Sequence, residues 1–289
     1  MSLRIRPIEQ SDAESCGRIG YEAHKAISST HGYPSEQPSE EYGISLIRRL
    51  LGNPNSWGVL AERDDKILGS IFLHRFPPSP VAVIGPLTVD PFVGGGIGTV
   101  LMKAALNQAR EQKQDQVRLV QSPSHIRSFV LYTKSGFTLR EPLFLMQGQP
   151  LNKISNIRNN NVRQVHDDKD ISKCNDLCEL VHGFSREMEL RQAMDLGAAT
   201  MIERNGSIAG YAAGIGIFGH TVAKSIEDLK ALIAAAPEIL GPGFFVPARN
   251  YEILNWLLEN GFQIGWPANL MTMGSYQEPL TPFLPSLAY

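Results

Sequence analysis

The 289-residue sequence has little of what marks several large classes of protein. Its three cysteines are too few for a disulfide framework and form no CxxC pair, so we expect free thiols in a reducing cytoplasm and no zinc site. Its seven histidines show no metal-binding spacing, so no metal is expected. No apolar run approaches about 18 residues and the first residues form no apolar signal segment, so no membrane span or signal peptide is expected.

The sequence also lacks an excess of positive charge. Lys and Arg number 27 against 29 Asp and Glu, which gives a formal net charge of −2. Proteins that bind nucleic acids usually carry a basic surface, so a nucleic-acid partner is not expected. The hydrophobic content of 43% and the charged content of 19% are those of an ordinary globular chain. At roughly 100–200 residues per domain, the length favours two domains.

A polar segment, KISNIRNNN (153–161), separates two parts of the chain. Its three consecutive Asn and its low apolar content are typical of a linker. We therefore predict a first domain over 1–148, a linker over 149–161 and a second domain over 162–289. In the first domain, hydrophobic periodicity predicts alternating strands and helices. The predicted strands are 3–8, 56–62, 67–76, 81–90, 116–121 and 137–148, and the predicted helices are 13–26, 41–51, 96–112 and 125–136.

The second part repeats landmarks of the first part in the same order. The segment AERDDKILGS (61–70) is matched 141 residues later, and LYTKSGF (131–137) is matched 125 residues later as WLLENGF. The segment 5–8 also resembles 162–165. The sequence therefore predicts two copies of one fold. The second copy is 16 residues shorter between the first two of these landmarks, and we expect this deletion to fall at a glycine-rich loop of the first copy.

That loop lies in LTVDPFVGGGIGTVLM (87–102), which is predicted to be a strand, a turn and the start of a helix. Four glycines within 94–98 let a ligand approach the backbone, and the free N–H groups of the first helical turn favour an anion such as pyrophosphate. A Walker A loop is excluded because Thr99 and Val100 follow the last glycine. The dinucleotide spacing G-x-G-x-x-G occurs as GIGIFG (214–219), but in a predicted hairpin strand with no helix directly after it, so dinucleotide binding there is not favoured.

The segments VDPFVGGGIGTVLM (89–102) and FVLYTKSGF (129–137) resemble the GNAT superfamily of acyl-CoA-dependent N-acyltransferases. The loop motif of that family, Arg/Gln-x-x-Gly-x-Gly/Ala, is matched at both glycines, while Val93 replaces its first residue. The resemblance covers 1–148. The second half, through 241–262 and the following NLMTMG, looks like the degenerate C-terminal domain of YitH-type tandem acetyltransferases. This implies an α/β (α+β) fold of two tandem GNAT-like domains, each a mixed, mostly antiparallel central sheet flanked by helices.

The resemblance also implies a cofactor, acetyl-CoA, and the residues that hold it. Its pyrophosphate would lie on the amides of 94–99 and its pantetheine arm beside the strand 81–90, while the amide of Leu87 or Thr88 would stabilise an oxyanion. Tyr132 stands where these enzymes often carry a general acid, although a packed core tyrosine is the alternative. The predicted cofactor-binding residues are Leu87, Thr88, Val89, Val93, Gly94, Gly95, Gly96, Ile97, Gly98, Thr99, Ser128 and Tyr132.

The acceptor side is less defined. His31, Tyr33 and His74 are predicted to contact the acceptor, the first two because the loop between the first two helices shapes that site in GNAT folds. Glu41 shares this loop. Asp90 is better explained by the turn that follows it. The residues identify no general base, and a base acting through water stays open.

The predicted function is transfer of an acetyl group from acetyl-CoA to the primary amine of a small molecule through a tetrahedral intermediate, without a metal. The second copy has Leu257 at the position of Tyr132 and lacks the loop, so we predict that it is inactive. It would complete the acceptor cleft or an interface of a homodimer. The alternatives are a non-catalytic sensor that binds CoA or a small ligand, and a dinucleotide-dependent oxidoreductase. The tail 278–289 is expected to dock on another domain or subunit.

Overall fold

The computed structural model describes residues 2–32, 35–151 and 162–287. Most of the predicted linker, residues 152–161, lies outside these ranges. The chain divides into two compact units, which are Met1–Arg75 with Val81–Thr138, and Phe76–Pro80 with Leu139–Tyr289. Among the helices of the described ranges, none combines the length and the apolar character needed to cross a membrane.

The first unit consists of five strands, which are neighbours in one sheet, and four helices. Its strands are β1 (Arg4–Pro7), β2 (Ser56–Arg63), β3 (Lys66–Arg75), β4 (Val81–Val89) and β5 (Gln116–Gln121). Its helices are α1 (Ala13–His31), α2 (Glu40–Leu51), α3 (Ile97–Glu111) and α4 (Ile126–Lys134), with a 3-10 turn at Gln10–Asp12 before α1. The strands are adjacent in sequence order. All pairs are antiparallel except β4 with β5, which are parallel.

Local sequence sets the ends of several elements. The turn between β2 and β3 places Asp64 and Asp65 at φ of 53° and 59°, the conformation that a tight hairpin turn requires. The side chain of Ser39 accepts a hydrogen bond from the amide of Tyr42 at 3.1 Å and so caps the start of α2. Gly136, at φ of 98°, follows α4 as the predicted left-handed glycine. These signals are local, which is why the pattern of elements was predictable.

One core cluster of the first unit lies under α1 and α2. Ile8, Cys16, Ile47, Leu60 and Phe72 are all at least nine-tenths buried in it. Because burial disfavours the thiolate, the pKa of Cys16 is raised to about 11. All three cysteines are free and buried, so the prediction of free thiols is confirmed.

The second unit contains the remaining elements in two sheets. In chain order they are β6 (Thr138–Gln147), β7 (Val162–Gln164), α5 (Asp168–His182), α6 (Glu187–Asp195), β8 (Ala199–Arg204), β9 (Ser207–Ala213), β10 (Thr221–Ala223), α7 (Ile226–Ala235), β11 (Phe244–Pro247), α8 (Tyr251–Glu259), β12 (Gln263–Gly274) and β13 (Phe283–Leu284). In one sheet, β12, β6 and β11 are adjacent in that order. In the other, the order is β13, β10, β9, β8, β7.

The strand β6 belongs to the second compact unit, although the sequence analysis assigned it to the first domain. It pairs antiparallel with β11, from Met146 opposite Phe244 to Leu143 opposite Pro247. Met146 and Leu151 are fully buried in the core cluster that contains Phe244. The first unit therefore ends at Thr138, ten residues before the predicted domain end at 148. Strand periodicity shows that a strand exists, but it does not show with which strand it pairs.

The two predicted copies share an ion-pair arrangement that the sequence did not reveal. Arg6 donates to both carboxylate oxygens of Asp12 at 2.7 and 2.8 Å and to Glu62 at 2.8 Å. In the second copy, the corresponding contacts run from Arg163 to Asp170 and Glu203. The Arg163 guanidinium lowers the pKa of Asp170 to about 2. Both copies also have a register shift at the same strand position, after Ala61 and after Ile202.

The length difference between the copies is spread over several places, whereas the sequence predicted it at the glycine loop. Seven residues, 90–96, join β4 to α3, but only Lys224 and Ser225 join β10 to α7. The hairpin before this connection is shorter as well, because Val89 lies 20 positions after its partner Gly69, and Ala223 lies 13 positions after Gly210. The glycine loop therefore accounts for only part of the 16-residue deletion.

The segment GIGIFG (214–219) is a turn between β9 and β10, and the prediction that it lies in a strand was wrong. A Cβ atom at Gly216 would lie 2.3 Å from the backbone oxygen of Leu240, and one at Gly219 would lie 2.1 Å from that of Gly214. These glycines are therefore required for close backbone packing. They leave no room for a ligand against the backbone, so the dinucleotide hypothesis receives no support.

Candidate functional site

The functional site of the first unit is built on the second half of β4. β4 pairs with β5 only from Val81 to Val83, and in the described ranges no strand pairs with this edge beyond Val83. On the other edge, the amide of Asp90 donates to the carbonyl of Leu68 in β3 at 2.9 Å. Because successive amides of a strand point to opposite edges, the amides of Leu87 and Val89 face the open edge. This edge can hydrogen-bond an extended ligand.

A bulge in β4 precedes the open edge. Leu73 and Ile71 of β3 lie opposite Ile84 and Leu87, so two residues of β4, 85 and 86, face a single residue of β3. A bulge bends the strand and alters its hydrogen-bonding direction. Thr88 is buried beyond the bulge, with its hydroxyl 3.3 Å from that of Ser70. Of the two predicted oxyanion donors, the strand alternation therefore favours the amide of Leu87 over that of Thr88.

His74 holds this bulge in place. Its Nε2 lies 2.6 Å from the carbonyl oxygen of Gly85, and its Nδ1 lies 2.8 Å from the hydroxyl of Ser56. Nε2 therefore donates and Nδ1 accepts. Burial lowers the pKa of His74, which favours this neutral form. Both ring nitrogens therefore have hydrogen-bond partners within the protein, and neither is left to contact an acceptor. The predicted contact of His74 with the acceptor receives no support.

The glycine loop follows β4 and leaves its backbone accessible. Gly96 has φ of 98°, and extra Cβ atoms at Gly94, Gly95 or Gly96 would meet no other atom within 4 Å. Gly96 is also the N-cap of α3, and no side chain caps this helix. The amides of its first turn are therefore available for an anion, and the helix dipole adds to the attraction.

Gly98 lies where α3, α4 and β4 meet. A Cβ atom there would lie 3.3 Å from the side chain of Leu131 in α4 and 3.8 Å from that of Val89 in β4. The small residue therefore lets the start of α3 pack beside α4. Buried Ile97 anchors the helix, while Thr99 is exposed. The structure thus brings together the predicted cofactor residues from three elements.

A pocket of about 390 Å³ lies between the turn after β2 and the glycine loop. Arg63 and Lys66 line it from the hairpin, and Val93 and Gly94 line it from the loop. Sequence reasoning missed both cations, because 30 residues separate Arg63 from Val93. Asp64 also lines this pocket, and Nζ of Lys66 lies 3.5 Å from the Asp90 carboxylate, so carboxylates partly balance the positive charge beside the loop in which Val93 replaces the Arg or Gln of the family motif.

Tyr132 lies in α4, next in sequence to Leu131. Its ring packs against Phe137, with 6.1 Å between the ring centroids, and its side chain is half-buried. Among the described residues, its hydroxyl has no hydrogen-bond partner. Burial raises the pKa of Tyr132 well above its ordinary value, and the negative charge of Glu36 adds to the effect. Tyr132 therefore keeps its proton over the whole physiological pH range.

The titratable side chains near Tyr132 form a cluster of four residues, which are His24, His31, Glu36 and His125. Nδ1 of His24 lies 3.6 Å from the Glu36 carboxylate. Burial lowers the pKa of His125, and positive charge at His24 and His31 lowers it further, so these rings lie close enough to interact. Of this cluster, the sequence analysis named only His31 for the acceptor. The missed pair, His24 and Glu36, is formed across the end of α1, and no short motif marks it.

The other predicted residues have local roles or lie outside the described ranges. The Ser128 hydroxyl donates to the carbonyl of His125 at 2.8 Å, so it supports the first turn of α4. Asp90 accepts from the amide of Phe92 at 2.9 Å, which stabilises the turn after β4 as the sequence indicated. Glu41 is exposed in the first turn of α2. Tyr33 lies outside the described residues.

The second copy lacks most of these features. Ser225 is the N-cap of α7. Its side chain accepts a hydrogen bond from the amide of Asp228 at 3.2 Å, so a side chain caps the first turn of this helix. Leu257 is fully buried in α8. The first and last residues of α8 lie 125 positions after those of α4. Within the described ranges, no group of three or more His, Cys, Asp or Glu side chains is arranged to hold a metal ion.

Comparison with known proteins identifies the fold of this site. Residues 21–137 match the model of the acetyltransferase (GNAT) family. A protein described as an acetyltransferase from Pyrococcus horikoshii superposes with a TM-score of 0.72 at 19% identity, covering 99% of this chain and 95% of that chain. A tandem GNAT protein from the clavulanic acid biosynthesis pathway superposes with a TM-score of 0.52 at 15% identity, covering 94% of this chain and 98% of that chain. No curated protein matches the sequence. The predicted fold, two tandem GNAT-like domains with mixed, mostly antiparallel sheets, is confirmed.

Proposed function

Because residues 21–137 form a domain of the GNAT acetyltransferase family and the whole chain has a tandem GNAT fold, we propose that the first unit is an acetyl-CoA-dependent N-acetyltransferase. The observation that carries the proposal is the open edge of β4, followed through the glycine loop by the helix α3. No side chain caps the start of this helix. The acceptor is the primary amine of a small molecule, and the net charge of −2 favours this over a nucleic acid. A cytoplasmic location and a homodimer remain predictions.

The residues present suit acyl-CoA. The amide of Val89 on the open edge would pair with the pantetheine arm, and the amides of the first turn of α3 would hold the pyrophosphate. Arg63 lines the pocket beside the loop and would supply positive charge in place of the Arg or Gln replaced by Val93, whereas Lys66 lies 3.5 Å from the Asp90 carboxylate. When bound, acyl-CoA supplies a thioester, whose carbonyl is the electrophile. The amide of Leu87 is placed to donate to the oxyanion that forms there.

Substitutions in the glycine loop test where the pyrophosphate binds. Gly96→Asp is expected to raise the Kd for CoA at least about tenfold, because a carboxylate would stand against the phosphates at a helix N-terminus. Gly96→Asn is the matched control, since it places an uncharged side chain of the same size at the same φ of 98°, and we expect a smaller rise in the Kd. Calorimetric titration with CoA gives both values. Equal affinity of Gly96→Asp and the wild-type protein would remove the loop from the cofactor site.

We assign the general base to His24, oriented by Glu36. An amine must lose a proton before it attacks, and a neutral imidazole can accept that proton. The Glu36 carboxylate lies 3.6 Å from Nδ1 of His24 and also attracts a cationic amine to the side on which Tyr132 lies. α1 would thus supply the base and α4 the acid.

His24→Ala is expected to lower kcat/KM by about 100-fold. Glu36→Gln is expected mainly to raise the KM for the amine, with little effect on the KM for acetyl-CoA. His166→Ala, an exposed histidine of the second unit, is the control and should leave both constants unchanged. Release of free thiol, measured against pH, gives these values. Wild-type kinetics of His24→Ala would exclude it as the base.

A non-catalytic sensor is the second candidate, and it is favoured by the replacement of the motif residue at Val93. Both functions predict that CoA raises the unfolding temperature in proportion to its binding. Only an enzyme releases CoA from acetyl-CoA in the presence of an amine. The deciding experiment is therefore thiol release over a panel of small primary amines. Binding of acetyl-CoA without release at any amine would favour the sensor, and stabilisation by NAD alone would contradict both.

A further inference from the structure

The strand β10 of the second copy corresponds to the cofactor-binding end of β4. Gly69 pairs with Val89 in the first copy, and Gly210 pairs with Ala223 in the second. The next hydrogen bond is conserved as well, since the amide of Asp90 donates to Leu68 at 2.9 Å and that of Lys224 donates to Ala209 at 2.8 Å. The outer amide of Ala223 therefore occupies the position that Val89 has on the open edge of β4.

The tail of the chain occupies this edge in the second copy. β13 pairs antiparallel with β10, with Phe283 opposite Val222 and Leu284 opposite Thr221. The amide of Ala223 donates to the carbonyl of Pro282 at 3.0 Å. The tail thus accepts the hydrogen bond that, in the first copy, is left for a ligand.

Side chains of the second unit fix the tail in the groove. Phe283 is fully buried and its ring meets that of His182 edge-on, with 5.2 Å between the centroids. The buried Arg186 donates to the hydroxyl of Ser286 at 2.9 Å. Further along, the amide of Leu287 donates to the carbonyl of Ile217 at 2.8 Å. Contacts therefore extend over the whole segment from 282 to 287.

We propose that the groove of the second copy is a peptide-binding site and that the segment 279–287 of the same chain is its ligand. The segment stands where acyl-CoA would place its pantetheine arm. The connection to α7 is two residues long and has no glycine loop, and Ser225 caps the amide of Asp228, so it lacks the pyrophosphate site proposed for the first copy. The chain therefore binds one acyl-CoA, at the first copy alone. The stoichiometry rests on the proposed function, whereas the occupation of the groove by the tail does not.

Hydrogen exchange tests the two copies separately. In the ligand-free chain, the amide of Ala223 is expected to exchange at least about tenfold more slowly than that of Val89, because only the first has a partner on the outer edge. Addition of CoA should protect Val89 and leave Ala223 unchanged. Equal, fast exchange at Ala223 and Val89 in the free chain would overturn the tail proposal. Failure of CoA to protect Val89 would instead count against the proposed function.

Removal of the tail and its return as a separate peptide complete the test. A chain ending at residue 278 should lose the protection at Ala223, and a synthetic peptide of residues 278–289 should restore it, while a peptide with Phe283→Asp should not. If the shortened chain does not fold, Ala223→Pro in the full chain replaces it, since proline removes the outer amide and places its ring on the edge that the tail occupies. This variant should make the tail accessible to protease. Retained protection in the shortened chain, or an uncleaved tail in Ala223→Pro, would refute the proposal.

Discussion

Tyr132→Phe is expected to lower kcat by about 100-fold, the lower end of the usual contribution of a positioned acid. The hydroxyl has no partner among the described residues, and burial raises its pKa, so it holds its proton at the pH at which a departing thiolate needs one. The phenylalanine keeps the contact with Phe137. The affinity for CoA and the free energy of unfolding should therefore change little, within about 0.5 kcal/mol for the latter. Single-turnover thiol release with each protein measures the effect.

Tyr251→Phe is the matched control, because Tyr251 is an exposed tyrosine at the start of α8 in the second copy. It should have wild-type kcat. The raised pKa of Tyr132 also predicts that its ionisation does not limit the rate on the alkaline side of the pH profile. An unchanged kcat in Tyr132→Phe, or a large loss of stability with it, would favour the packed core tyrosine over the acid.

The fragment 162–289 is expected to lack cooperative unfolding, whereas 139–289 should unfold cooperatively. The shorter fragment lacks β6, whose Leu143, Leu145 and Met146 are almost fully buried. Truncating one buried Leu or Met typically costs about 2–5 kcal/mol, and the total stability of a domain is about 5–15 kcal/mol. Loss of the strand also leaves the backbone groups of β11 without their partners. Urea titration followed by circular dichroism distinguishes the two cases.

A third fragment, 149–289, controls for the predicted linker. It contains the linker without β6 and should behave as 162–289 does. If 162–289 unfolds with the same midpoint and the same slope as 139–289, then β6 is dispensable for the second unit, and the boundary at Thr138 has no thermodynamic meaning.

The parts of the fold that were predictable from sequence are those with local causes. The helix α4 ends at Lys134 and is followed by Gly136 in the left-handed conformation. The match of α4 to α8 was visible as LYTKSGF against WLLENGF. The glycine loop was recognisable because strand, turn and helix follow one another directly. By contrast, the partner of β6 is β11, about 100 residues away, and pairing at that distance leaves no periodic signal.

The same distinction applies to the site. The predicted cofactor residues lie on β4, on the glycine loop with the start of α3, and on α4, and Gly98 lies within contact distance of Val89 in β4 and Leu131 in α4. His24 and Glu36 were missed because one lies inside α1 and the other follows its end, so only the folded chain makes them neighbours. His74 was predicted to contact the acceptor. The bulge in β4, which supplies Gly85 as one of its two partners, has no motif of its own.

The hydrogen bond from Ala223 to Pro282 has a consequence for how the protein responds to its surroundings. A segment tethered to its own groove is present there at a high and constant effective concentration. Under the proposed function, acyl-CoA would reach the open edge of β4 only as often as its amount in the cell allows. The second copy would then be completed as soon as the chain is made, while the first would be completed in proportion to the supply of its ligand.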